Sequence, residues 1–182
     1  MASDSDVVGR PEVASCAFAD DGAIPNSSLP LLVYRQVLRF GADDPPAVCE
    51  RLFARNGWGS TWRNGIYSFP HYHSTAHEVL GIAAGDARVR FGGSGGADLE
   101  VKMGDVVLIP AGVGHENLAA SRDLLVVGGY EVGASPDLCR GARDERPWAL
   151  DNIVSVALPS TDPVYGAGGP LVEKWRAGGN LG

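Results

Sequence analysis

Three of the four histidines in this 182-residue chain, His71, His73 and His77, fall within seven residues, and Glu78 follows at once. Residues two apart on an extended strand project from one face. His71 and His73 are therefore read as two imidazoles aimed into one space, with Tyr67 and Phe69 lining the same interior. Pro70 has no N–H to give to a ladder, so an edge or a bulge is expected there. Ser74-Thr75-Ala76 breaks the strand, and a connection this short can return a carboxylate beside the imidazoles. His77 and Glu78 are neighbours and point to opposite faces, so only one joins the site. Imidazole and carboxylate converging on one space are the donors a borderline divalent metal takes. The fourth histidine, His115, opens a strand after the turn Pro110-Ala111-Gly112-Val113-Gly114, and Asn117 shares its parity while Glu116 does not.

The surrounding pattern is that of a sheet protein. Short apolar runs broken by Gly, Pro and Asp predict strands near 61–63, 65–73, 78–84, 86–92, 98–102, 105–109, 115–119 and 123–131, and Leu31 to Phe40 predicts an earlier one. Gly85-Asp86 reads as a hairpin turn, and Gly92 to Gly96 as a flexible hairpin loop rather than a phosphate loop, because no helical pattern follows it. One helix is expected after Asp43-Asp44-Pro45-Pro46. An Asp at the N-cap and a proline in the first turn suit a helix start, Val48, Leu52 and Phe53 share a face, and Gly57 stops it. The run Asp151 to Leu158 is too short for periodicity to decide between strand and helix. Residues 1–29 are read as a loose N-terminal arm, residues 30–182 as a single domain, and the stretch after Pro159 as an extended tail tied down by Tyr165, Leu171 and Trp175.

Two spacings then converge on one family. The first runs Gly65, five residues, His71-x-His73, four residues, Glu78, six residues, Gly85. The second runs Gly104, five residues, Pro110-x-Gly112, two residues, His115. Together they resemble the paired motifs of the cupins. The stretches His-Tyr-His-Ser-Thr-Ala-His-Glu-Val-Leu and Gly-Asp-Val-Val-Leu-Ile-Pro-Ala-Gly-Val-Gly-His, with Asp162-Pro163-Val164-Tyr165-Gly166 in the tail, resemble the small single-domain YjlB-like bacterial cupins. The resemblance covers roughly residues 60–176. It departs at Ala119, where the family pattern has an asparagine.

The resemblance implies an all-β fold, the cupin double-stranded β-helix or jelly-roll barrel, flanked by one or two short helices, and commonly a homodimer. It also implies one divalent metal per chain, held by His71, His73, Glu78 and His115. Three neutral imidazoles and one carboxylate leave such an ion near +1 with open positions. Mn(II) or Fe(II) suits that donor set, and Ni(II) or Zn(II) can occupy it in purified protein. Tyr67 and Asn117 are the candidate substrate-pocket residues, and no catalytic residue or proton donor is assigned. His77 is expected to be a surface or interface bystander, and Arg88 and Arg90, opposite in parity to Ala87, Val89 and Phe91, are expected to face outward.

The first functional expectation is a Mn-dependent enzyme acting on a small carboxylate, of oxalate decarboxylase type. The alternatives are an Fe(II)-dependent dioxygenase and a non-catalytic small-molecule sensor. Composition narrows the partners. Net charge is -7 with only Lys102 and Lys174 among the lysines, and no basic stripe exists, so nucleic acid and anionic membranes are not expected. Cys16, Cys49 and Cys139 are an odd number without CxxC spacing, which predicts reduced thiols. No long apolar run follows the acidic N-terminus, so a cytoplasmic protein is expected.

Overall fold

A computed structural model describes residues 7–10 and 12–179 of the chain. Among these residues nine strands carry the fold: β1 (Glu12–Cys16), β2 (Leu31–Arg35), β3 (Trp58–Asn64), β4 (Glu78–Ala84), β5 (Asp86–Phe91), β6 (Ala97–Lys102), β7 (Val106–Ile109), β8 (His115–Ala120) and β9 (Leu125–Glu131). Helix α1 (Pro45–Arg55) precedes β3, and α2 (Arg146–Ser155) and α3 (Pro170–Gly179) follow β9. The strands form a six-stranded sheet in the order β1-β2-β7-β4-β9-β3 and a three-stranded sheet in the order β6-β5-β8. Every ladder is antiparallel. No helix among the described residues is long and apolar enough to cross a membrane.

Burial explains the strand sequences. One face of the larger sheet, with Tyr34, Val79, Leu108 and Val127, packs against Phe53 of α1 and Leu171 and Trp175 of α3. The other face, with Leu31, Val33, Leu80, Val107 and Val126, packs against Val89 and Phe91 of the smaller sheet. Strands buried on both faces read as unbroken apolar runs, and β7 is buried at all four positions. Strand β5 has one wet face and alternates: Ala87, Val89 and Phe91 are buried. Arg90 on the other face pairs with Asp98 and Glu116, as its parity predicts. All three cysteines are free.

Several elements differ from the sequence reading. Glu12–Cys16 is not a loose arm but a strand paired along its length with β2. The predicted strand 65–73 does not form. The chain from Gly65 to Pro70 lies outside the sheets, and the motif is held by isolated bridges, His71 to His115 and Tyr72 to Cys139, and by single bonds from the Gly112 amide to the His73 carbonyl and from the Asn117 amide to the Tyr67 carbonyl. Gly85 is a corner rather than a hairpin turn, because β4 and β5 lie in different sheets. The Gly92–Gly96 loop is pinned rather than flexible. Asn26 donates to the Gly92 carbonyl, and the Ser94 amide and hydroxyl donate to Asp21.

Among the described residues three helices of ten or eleven residues form where one or two were expected. Helix α1 starts at the predicted place, but Asp44 makes no side-chain cap bond; its carbonyl accepts the Val48 amide instead. The helix stops where Gly57 takes a φ of 83°, a left-handed turn that costs glycine little. The ambiguous run near 151 is the end of α2. The tail is not extended throughout: α3 buries Leu171, Val172 and Trp175. Buried Asp162 anchors that tail. It accepts from the Tyr34 hydroxyl (2.6 Å) and from the amides of Val164, Tyr165 and Leu171.

Candidate metal centre

The motif residues arrive from three places. His71 and His73 sit on the bridged segment before β4, Glu78 is the first residue of β4, and His115 is the first residue of β8. The His71 amide donates to the His115 carbonyl at 3.2 Å, and the His115 amide returns a bond at 2.9 Å. That two-way bridge closes the smaller sheet onto the motif and puts the two rings 4.0 Å apart. Donor atoms of His71, His73 and His115 all lie within 4.8 Å of one another. Glu78 Oε2 reaches His115 Nε2 at 3.3 Å and His73 Nε2 at 3.5 Å. The four residues predicted from the motifs are thus brought to one point, and Glu78, not His77, is the member of that adjacent pair that joins them.

The imidazoles are held in one tautomer. His71 Nδ1 faces the Phe69 carbonyl at 3.1 Å, His115 Nδ1 faces the Val113 carbonyl at 3.4 Å, and His73 Nδ1 faces the Asp137 carbonyl. A carbonyl only accepts, so each Nδ1 carries the proton and each Nε2 keeps its lone pair for the centre. Glu78 is divided in the same way. Its Oε1 accepts a 2.9 Å bond from the Tyr130 hydroxyl, which itself accepts from Trp62 Nε1 at 3.3 Å. Its Oε2 is buried without a hydrogen-bond donor.

Burial and repulsion from a neighbouring ring keep His71 neutral. Burial, then the neighbouring His115, pushes His71 down to about 3. Burial alone would raise Glu78, but His115 and His73 outweigh it and hold the carboxyl well below its usual range. Burial lowers His73 as well, and there the adjacent Glu78 wins and raises it. A charged, buried carboxylate oxygen thus lies against imidazole Nε2 atoms, where a proton held on His73 or a divalent cation can balance it. The donor set fits one divalent ion.

The cluster forms the floor of a cavity of about 460 Å3. Tyr67 lines it, stacked on Phe69 at 4.8 Å and half exposed. Asn117 does not line it. Its amide donates to the Tyr67 carbonyl, and its side-chain oxygen is buried elsewhere without a partner. His77 is neither a surface nor an interface group: it is 3% exposed, accepts the Ala111 amide at Nδ1 (2.9 Å), and lies 4.8 Å from the Trp175 ring. Burial pushes it down to about 4 and so keeps it neutral. It points away from the cluster, because adjacent residues of an extended chain face opposite ways.

Sequence reasoning missed Tyr130, Trp62 and Asp137. Tyr130 pairs in register with Glu78 across β4 and β9, which only the sheet order reveals. Trp62 lies over Gly128, where an added Cβ would sit 2.0 Å from its ring. Glycine there is the signal of a close approach. Asp137 falls in the irregular stretch after Gly133. Its carboxylate accepts from the Ser74 amide and hydroxyl, which holds its own carbonyl against His73.

A family model described as Cupin matches residues 60–135. YjlB of Bacillus subtilis (strain 168) is 41% identical over 165 residues, covering 90% of this chain and 97% of that protein. Among solved structures, the acireductone dioxygenase from Bacillus anthracis with cadmium ion in its active centre aligns with a TM-score of 0.35 and 19% identity. That alignment covers 49% of this chain and 61% of the dioxygenase. The 11S allergen from Cocos nucifera aligns at 0.34 and 22%, covering 42% of this chain and 24% of its own. With a family model matched over residues 60–135 and a relative of this identity along nearly its whole length, the chain belongs to the cupin family as a single-domain bacterial-type member.

Proposed function

We propose that the protein is a mononuclear metal-dependent enzyme in which His71, His73, Glu78 and His115 hold one divalent ion, Fe(II) or Mn(II), and that its reaction is the oxidation of a chelating small molecule. The observation that carries this reading is the buried, donorless Glu78 Oε2 facing imidazoles whose Nδ1 atoms are all turned to backbone carbonyls. When bound, such an ion supplies Lewis acidity and, for iron or manganese, one-electron chemistry with dioxygen. The chain's own contribution is to fix and bury the donors and leave one side of the cluster open to the cavity. Tyr130 holds Glu78 Oε1, so that Oε2 alone faces inward.

Decarboxylation of a small acid such as oxalate by a manganese form uses the same donors. It also needs an acid to return a proton to carbon. Glu78 is committed to the cluster, and the Asp137 carboxylate is taken by Ser74 and Cys139. That commitment favours oxidation. Oxygen uptake by iron-loaded protein with thiols, catechols and diketones tests the reading, with manganese-loaded protein and oxalate run beside it. Uptake with a chelating substrate supports it. Carbon dioxide from oxalate without net oxygen uptake would replace it with the decarboxylase, and binding without turnover by any metal form would leave a sensor. The homodimer is part of the same proposal and is read by light scattering in solution.

A further inference from the structure

We infer that the substrate is a singly charged, two-point oxygen chelator carrying an apolar body, and not a compact dianion; this rests on the metal reading above. The cavity above the cluster is walled by Trp62, Ile66, Leu80, Tyr67 and Leu138. Leu80 is fully buried and Ile66 nearly so, while Tyr67 and Leu138 are half exposed, which puts the mouth between those two rings of wall.

Charge decides the head group. An ion near +1 after its ligands is neutralised by one negative charge. A second negative charge would need its own partner in a largely apolar cavity that already holds the Asp137 carboxylate, and a charge buried unpaired is expensive. The cationic side chain on the wall, Arg63, is already clamped by both oxygens of Glu50 at 2.7 and 2.8 Å. Asp137, also on the wall, is itself an anion in its own hydrogen-bond set. Among the described lining residues outside the cluster no other cation is placed to hold the far carboxylate of a diacid, and Asn64, whose Oδ1 accepts the Gly65 amide, offers only a neutral amide. The apolar walls can instead take up carbon, at a gain that grows with the area covered.

The test uses zinc-loaded protein, so that no turnover intervenes, and calorimetric titration with acetohydroxamate, benzohydroxamate and oxalate. Each affinity is divided by that chelator's affinity for aqueous zinc. Benzohydroxamate is expected to bind roughly 10- to 100-fold more tightly than acetohydroxamate on this corrected scale, with oxalate weakest. Leu138→Glu, at a half-exposed position, should remove most of the advantage of the ring and leave acetohydroxamate within about threefold. If zinc binds but oxalate is favoured, or the ring confers no advantage, the inference is wrong while the metal reading stands. If zinc does not bind with His71, His73, Glu78 and His115 intact, the metal reading falls and the inference with it.

Discussion

Replacing Tyr130 by Phe removes one hydroxyl and keeps the ring, so the packing against His73 at 5.5 Å is preserved. What is lost is the hydrogen bond to Glu78 Oε1, a carboxylate oxygen 2.9 Å away in a residue only 2% exposed. A hydrogen bond to a charged group is worth about 1.5–3 kcal/mol, and a buried acceptor left alone costs a similar amount. In the metal-free protein this predicts a fall in melting temperature of about 5 °C, at the usual conversion for a chain of this size. With metal, Glu78 is no longer held with one oxygen inward, and outer partners of ligands typically contribute about 10- to 100-fold to affinity. Zinc affinity, read by competition with a chromogenic chelator, should weaken by that factor. Trp62→Phe should weaken it less, because its bond to the hydroxyl is long at 3.3 Å. An unchanged zinc affinity in a folded Tyr130→Phe protein would refute the idea that this hydroxyl positions the ligand.

Other consequences are simpler to read. Glu78→Gln should abolish stoichiometric metal binding measured by elemental analysis, whereas His77→Ala should keep the metal and lose about 1–3 kcal/mol in urea unfolding, since it strands the Ala111 amide. If His77→Ala lost the metal instead, its placement outside the cluster would be wrong. Asp162→Ala removes the acceptor for one hydroxyl and three amides. It should cost at least about 3 kcal/mol, and a wild-type unfolding midpoint would show that α3 does not depend on it. Burial works against ionisation of Asp21, but bonds from the Ile24, Ala23 and Ser94 amides and the Ser94 hydroxyl win and hold it at about 2. A depressed carboxyl stabilises fully above its unfolded value and less as pH falls through its folded one. The stability gap between wild type and Asp21→Ala should therefore be constant above about pH 4 and shrink toward pH 2. A gap that widened with acid would contradict the assignment.

The cluster was legible because its residues lie in two short, locally spaced segments. Two of the three tautomer-setting carbonyls are local as well, each two residues before its histidine. The third, from Asp137, is 64 residues away from His73, and Tyr130 is 52 away from Glu78. Strand order alone brings those together, and no single-sequence spacing records it. The failed strand at 65–73 has a local cause: Pro70 cannot donate to a ladder, and alternating parity looked the same with or without partners. Helix α3 carried its signal in Pro170, Leu171, Val172 and Trp175, but glycines on both sides made the stretch read as tail. Asp162 entered only as part of the tail's resemblance, because nothing local announces that Tyr34 will reach it.

The three carbonyls that orient the imidazoles belong to the main chain of Phe69, Val113 and Asp137. Every residue type offers the same carbonyl. A single base change at Phe69 or Val113 can therefore alter size or polarity without altering the instruction given to the ring beside it. In a saturation library scored by metal retention, Phe69 and Val113 should tolerate many substitutions that keep the backbone path, while His71 and His115 tolerate almost none. The steering of this centre is thus stored in chain geometry, where point mutation reaches it least.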